Sequence, residues 1–246
     1  MSDNTAIVPV NLNQLLSTQL GSDDQFAKLA QGGDYIGRMQ LYTKGKAVLK
    51  NIIPQGHYGI PEGDDEISDL GAVVNILPLA RRPKAIDMTD MEALVISYDM
   101  ESDEFKRIAD QSTQTDSHCQ YGPSFLIYEE SSGRFLEFFC GNKSSRIEAK
   151  KIYSFLPVLP ADIARLEAAG NDVSNLKLHG PVAVTLKVKV AENRKGIWHV
   201  PVVTICPTPL GRVPSEEIIC REIGKFLTIK DNGVEKVQDD RPARAR

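Results

Sequence analysis

Tryptophan occurs once in the 246 residues, and cysteine and histidine four times each. The cysteines, Cys119, Cys140, Cys206 and Cys220, contain no CxxC pair. Neither His118-Cys119 nor His199 with Cys206 has the spacing of a zinc site. No metal and no cofactor are expected, and the thiols are expected to be reduced. The contiguity of His118 and Cys119 is no evidence for an activated thiol, because strand neighbours point to opposite faces. The chain also lacks GxxxxGK[ST], GxGxxG and GxSxG. That excludes P-loop nucleotide hydrolysis and leaves no nucleophile elbow. The longest apolar stretches, such as Gly71–Ala80, fall far short of the roughly 20 residues that span a bilayer. The opening MSDNTAIVPVNLNQLL has neither a basic n-region nor a long apolar h-region, so no secretory signal is expected. The expectation is a soluble intracellular protein with no membrane partner.

What is present is enough apolar sequence for a core, 41% of residues, with a net charge of only −4. That mild total conceals a polarity. Residues 61–110 hold thirteen Asp or Glu against five Lys or Arg, and residues 141–230 hold fourteen Lys or Arg against eight Asp or Glu. A basic second half suits an anionic partner.

Leu12, Leu15, Leu16 and Leu20 recur at helical spacing, and Ser22-Asp23-Asp24-Gln25 reads as a capping box before Phe26 and Leu29. Residues 1–33 are therefore expected to form an N-terminal helical arm. Strand signals begin near Tyr35, with YIGRMQLYT and KAVLKNII flanking a turn at Gly45. The segment PQGHYGIPEGDDEISD, with five acids within 62–69, reads as an exposed loop. Strands are expected in GAVVNILPLARRPKAI, broken or edge-placed by Pro78 and Pro83, and in ALVISYD; ESDEFKRIAD reads as a short helix. PSFLIYEE and RFLEFFC form a hairpin about Ser131-Ser132-Gly133. Ser145-Arg146-Ile147-Glu148 reads as a capping box opening a helix before Pro157, and PADIARLEAAG as another helix. Val182, Val184, Leu186, Val188 and Val190 alternate with smaller or basic residues and turn at Asn193–Gly196 into IWHVPVVTIC. Ser215 caps a last helix with Ile219, Ile223, Phe226 and Leu227 on one stripe. Residues 229–246 are expected to be a disordered polar tail. The fold class is mainly β (α+β): an antiparallel barrel or sandwich over 34–228, OB-fold-like, with inserted helices.

Basic residues interleave with aromatics in two places. Tyr128 and Phe138 lie on the hairpin that leads into Lys143, Arg146, Lys150 and Lys151. Lys187 and Lys189 share a strand face before Arg194, Lys195 and Trp198. Cations track phosphates and rings stack on bases, so these residues are the expected nucleic-acid contacts, with Tyr128, Phe138 and Trp198 as stacking platforms. Arg81-Arg82-Pro83-Lys84 grips phosphates or pairs with the acidic loop, the second being favoured. Glu148-Ala149-Lys150 resembles the ExK half of a nuclease core but falls in a helix rather than a strand, and neither Asp64-Asp65-Glu66 nor Asp99–Glu104 has calcium-loop spacing. No catalytic residue is assigned.

Several phrases resemble uncharacterised proteins of tailed bacteriophages: GGDYIGRMQLYT, IPQGHYG, RRPKAI, YDMESDEFKRI, YGPSFLIYEESSGRFLEFFCGNKSSRIEA and WHVPVVTICPTP. The resemblance covers about residues 32–228 and carries no catalytic motif. It implies a phage product in the cytoplasm of a bacterial host. Single-stranded DNA binding in replication or recombination is the natural role, with phage or host replication proteins and further copies of the chain as partners. The chain ends in basic RPARAR where many phage single-strand binders carry an acidic tail. Two other expectations stand beside this one: a virion-associated or host-interaction protein that binds no nucleic acid, and a metal-dependent nuclease.

Overall fold

The computed structural model describes residues 36–228, apart from 64, 65, 91–93, 115, 159, 169, 175–179, 194 and 195. The expected helical arm at 1–33 and the tail at 229–246 lie outside the described residues. The elements in chain order are β1 (Gly37–Tyr42), α1 (Lys46–Leu49), β2 (His57–Pro61), β3 (Ile67–Gly71), β4 (Val73–Asp87), β5 (Val95–Ser97) and α2 (Asp103–Gln111). There follow β6 (Cys119–Glu129), β7 (Arg134–Phe139), α3 (Lys143–Tyr153), α4 (Pro160–Ala168), β8 (Val184–Asn193), β9 (Gly196–Ile205) and α5 (Glu216–Thr228).

The protein is mainly β. One sheet runs β3-β2-β1-β7-β6-β4-β8-β9, with β5 beside β4. Every pair is antiparallel except β1 with β7. Where an antiparallel barrel or sandwich is expected, the sheet is mixed and curls but does not close: among the described residues β3 and β9 stand at its two ends and do not pair with each other. The curl is tight enough that the Tyr58 hydroxyl on β2 donates to the Lys187 carbonyl on β8 at 3.3 Å.

Two helical layers cover the two faces. On one face, Val74, Ile76, Phe125, Ile127, Leu136, Phe138, Val184 and Leu186 pack with Ala149 and Ile152 of α3. On the other, Leu77, Leu79, Ala80, Leu126 and Tyr128 pack with Ile219, Cys220, Ile223 and Phe226 of α5. These are called below the α3 face and the α5 face. Leu227, expected on the buried stripe of α5, is instead 49% exposed.

β4 is the spine of the sheet, pairing with β6, β8 and β5. It is a single 15-residue strand despite its two prolines. Pro78 lies at a bulge in the register with β6, which frees its missing N–H from duty. Pro83 stands opposite Pro123, a pairing that works only where neither residue owes a hydrogen bond to the other. The expected KAVLKNII strand is the short helix α1 followed by a turn, and the expected acidic loop supplies β2 and β3. The reason is tertiary: Tyr58 and Ile60 alternate into the core, while β3 stays half exposed as an edge.

Candidate nucleic-acid interface

Helix α3 begins one turn earlier than its expected capping box. Asn142, not Ser145, is the N-cap, and its side chain accepts from the Ser145 backbone N–H at 2.8 Å. This register buries Ser145, Glu148, Ala149 and Ile152 against the sheet. Lys143, Arg146, Lys150 and Tyr153, spaced three or four apart, therefore form one stripe on another side of the helix. The stripe is about 15 Å long at 1.5 Å rise per residue. The first turn carries no acid and one lysine, against the helix dipole.

The sheet beside the stripe adds to it. Arg81 of β4 lies over the Tyr153 ring, 4.3 Å from guanidinium carbon to centroid. Arg146 lies over the Tyr121 ring of β6 at 4.1 Å and donates to the Tyr121 carbonyl at 3.0 Å. Tyr153 is 37% exposed and leans on buried Phe125, with ring centroids 5.7 Å apart. Two guanidiniums thus lie over tyrosine rings, Arg146 within the stripe and Arg81 at its Tyr153 end. Among the described residues, Arg81, Lys143, Arg146 and Lys150 have no carboxylate partner, whereas Lys151 pairs with Glu148 at 2.8 Å. Five cations face one carboxylate.

The structure divides the other expected contacts. Tyr128 and Phe138 are corrected: they are 1% and 3% exposed, locked in the two cores, and neither presents a ring to a base. Tyr128 packs on Phe135 at 5.4 Å between centroids, and Phe138 on Tyr58 at 6.2 Å. Lys187 and Lys189 are exposed, but they alternate with Leu186 and Val188, which point to the α3 face. The two lysines therefore project from the α5 face, on the far side of the sheet from the α3 stripe. Half-buried Trp198 shares their side, two positions along β9 from the partner of Lys189. Arg194 and Lys195 lie outside the described residues. The described basic residues among the expected contacts thus lie on two surfaces on opposite faces.

The RRPK run is corrected as well. Extended backbone sends Arg81 to the α3 face and Arg82 and Lys84 to the α5 face, where both are buried. Their partner is not the acidic loop but Glu137 of β7, at 3.3 Å from Arg82 and 2.7 Å from Lys84. Ser124 donates to the same carboxylate at 2.6 Å. The Arg82 guanidinium lies between the Tyr98 and Phe226 rings, at 3.6 and 4.2 Å, and donates to the Phe226 carbonyl at 2.7 Å. It thereby closes the C-terminal end of α5, where the helix dipole is negative. The Arg82 Nε has no partner. Burial works to raise the Glu137 carboxyl, but the Lys84 charge and the hydrogen bonds outweigh it and hold the group below its ordinary range. Burial depresses the Lys84 ammonium, and Glu137 only partly offsets that. The acidic loop finds its cation elsewhere, in Arg134, which pairs with Glu62.

Arg81, Tyr121 and Tyr153 were not legible as a set, because they come from three elements. The signal available was the period-two split of Arg81 from Arg82. Glu148, the ExK candidate, lies on the buried stripe of α3. No group of three or more His, Cys, Asp or Glu that would suit a metal ion occurs among the described residues. No helix among them is long and apolar enough to cross a membrane. No protein-family model matches the chain, and no curated protein or solved structure is significantly similar to it.

Proposed function

We propose that the protein binds single-stranded DNA along the outward stripe of α3 and the adjoining Arg81. It acts as a non-enzymatic phage product that supports replication or recombination in the bacterial cytoplasm. The observation that carries this reading is the pair of guanidinium–tyrosine stacks that alternate with Lys143 and Lys150. Each offers an outer π-face for an unpaired base, and the lysines and guanidiniums neutralise the phosphates between. The resemblance to tailed-phage proteins supplies the biological setting, and the curled antiparallel strands suit kinship with OB-type sheets. Trp198 with Lys187 and Lys189 makes a smaller basic and aromatic surface on the opposite face, which a short strand does not reach at the same time.

Fluorescence anisotropy with a labelled oligonucleotide tests this across a salt series. Neutralising four phosphates on a single strand gives a slope of about −3 in log K against log salt. Replacing Lys143 and Lys150 by alanine should make the slope about 1.4 shallower, at roughly 0.7 per lost phosphate contact. Replacing Lys187 and Lys189 should leave it unchanged. Absence of binding at low salt, or binding that ignores the α3 substitutions, overturns the proposal.

A further inference from the structure

The β8–β9 hairpin sorts its charges by face. On β8, Lys187 and Lys189 alternate with Leu186 and Val188, which turn to the α3 face. Both lysines therefore project from the α5 face, about 6.6 Å apart at the rise of a β-strand. Glu192, the one acid in the two strands, falls on the opposite side with Val190 and Ile197. Among the described residues neither lysine has a carboxylate partner. Their backbone is held in place, because the Lys187 carbonyl accepts the Tyr58 hydroxyl at 3.3 Å. Like charges set side by side without a counter-ion favour a polyanion over a neutral partner.

The one tryptophan of the chain belongs to the same surface. Trp198 stands opposite Ala191, on the face of the two lysines, and diagonal to Lys189, whose own partner is Val200. An alanine opposite offers the indole only a methyl group, and the ring stays half-buried. Among the described residues no other ring stacks on it and no cation lies over it. The hairpin thus sets an unclaimed indole beside two unpaired ammonium groups. The α3 stripe with Arg81 lies on the other face of the sheet, so the two basic surfaces are separated by the sheet itself.

We infer that one molecule holds two single strands of DNA, the first along α3 and the second across Lys187, Lys189 and Trp198, and so bridges them. This rests on α3 being a strand-binding surface. On the second surface the lysines neutralise two phosphates and the indole stacks on a base. A molecule seated on one strand then presents its other face to a second strand. Two strands held by one molecule meet at the effective concentration of a tethered pair, which favours the pairing of complementary sequences. Covering a single strand needs only one of these faces.

Because Trp198 is the only indole, its fluorescence reads the second surface alone. The full chain is titrated with a labelled oligonucleotide of about eight nucleotides, within the usual site sizes. Anisotropy and indole emission are followed together. Wild-type protein should take up two strands per molecule and its indole should be quenched. Lys187→Ala with Lys189→Ala changes two exposed side chains, and circular dichroism checks that the fold is kept. That variant should bind one strand per molecule. Its second surface should be about 25-fold weaker at 0.1 M salt, the counterion contribution of two phosphates relative to 1 M. Lys143→Ala with Lys150→Ala should keep the quench. Protein loaded on a bead-bound strand should capture a second, non-complementary strand, and the Lys187 and Lys189 variant should not. One strand per wild-type molecule, or an unresponsive indole while α3 binding is intact, overturns the inference and leaves the α3 reading standing. A quench that follows the α3 lysines instead also overturns it, because one strand then wraps both faces. So does bridging that survives loss of Lys187 and Lys189, which would come from paired copies. Absence of all binding overturns both readings.

Discussion

Replacing Glu137 by glutamine removes one charge and almost no volume. Among the described residues that carboxylate is the one acid paired with buried Arg82 and Lys84, which are 8% and 2% exposed. An amide in its place still accepts hydrogen bonds but leaves two enclosed cations without a counter-charge. Breaking a buried ion pair in this way costs about 3–5 kcal/mol. Against a total stability of roughly 5–15 kcal/mol, that is at least about a fifth of the whole. At about 2–4 °C per kcal/mol for a chain of this size, melting should fall by roughly 6–20 °C. Urea unfolding followed by far-UV circular dichroism gives the free energy, and a thermal scan gives the shift. A second substitution sharpens the test. Adding Lys84→Met to Glu137→Gln removes the surplus cation, so the double variant should be more stable than Glu137→Gln alone. Arg82 then keeps its Phe226 carbonyl and its two rings. If Glu137→Gln lies within about 1 kcal/mol of wild type, or the second change makes matters worse, the charges are not coupled as described.

Three further outcomes follow from the same structure. Burial tends to raise Asp87, but hydrogen bonds from Thr89 and Arg107 outweigh it and bring its pKa from 3.8 to about 2. A depressed carboxylate stabilises above its unfolded pKa and loses that contribution as pH falls through the folded one. Wild-type unfolding free energy should therefore drop more steeply between pH 4 and 2 than that of Asp87→Asn, as denaturant titrations at each pH will read. Asn142→Ala should cost about 1 kcal/mol by removing the N-cap of α3, and should weaken oligonucleotide binding without changing its salt slope. Gly122→Ala would set a methyl group 2.2 Å from the Cys140 carbonyl oxygen, a backbone atom, so soluble yield should fall and the melt should show a loss of at least about 1–3 kcal/mol.

The second half of the chain was legible because its signals are local. The alternation from Val184 to Val190 and the turn after Asn193 needed nothing from elsewhere. The hairpin at Ser131-Ser132-Gly133 is likewise local, with Glu129 accepting from the Ser131 and Ser132 amides. β2 was hidden because Tyr58 and Ile60 are flanked by glycine, proline and acids, and only the curl of the sheet makes them core. The curl also decided the site. Residues 143, 146 and 150 could be placed on one helical stripe from spacing. That Arg81 joins them, while Arg82 turns inward to Glu137, depends on which face of β4 each helix covers. The buried tyrosine and phenylalanine at 128 and 138 show the same limit: a period of two separates the faces of a strand but does not say that both are covered.

The clamp at Arg82 joins positions 144 residues apart in the chain. Among the described residues, Leu77, Leu126 and Tyr128 lack most of their cover until Ile219, Ile223 and Phe226 arrive. A nascent chain can make the β6–β7 hairpin as soon as Phe139 is out, but must hold that greasy surface until the helix at Glu216–Thr228 follows. Its folding is governed by closures of long sequence separation, which are slow and leave strand edges exposed. Exposed strand edges and uncovered apolar surface of this kind are what make a folding intermediate prone to aggregate.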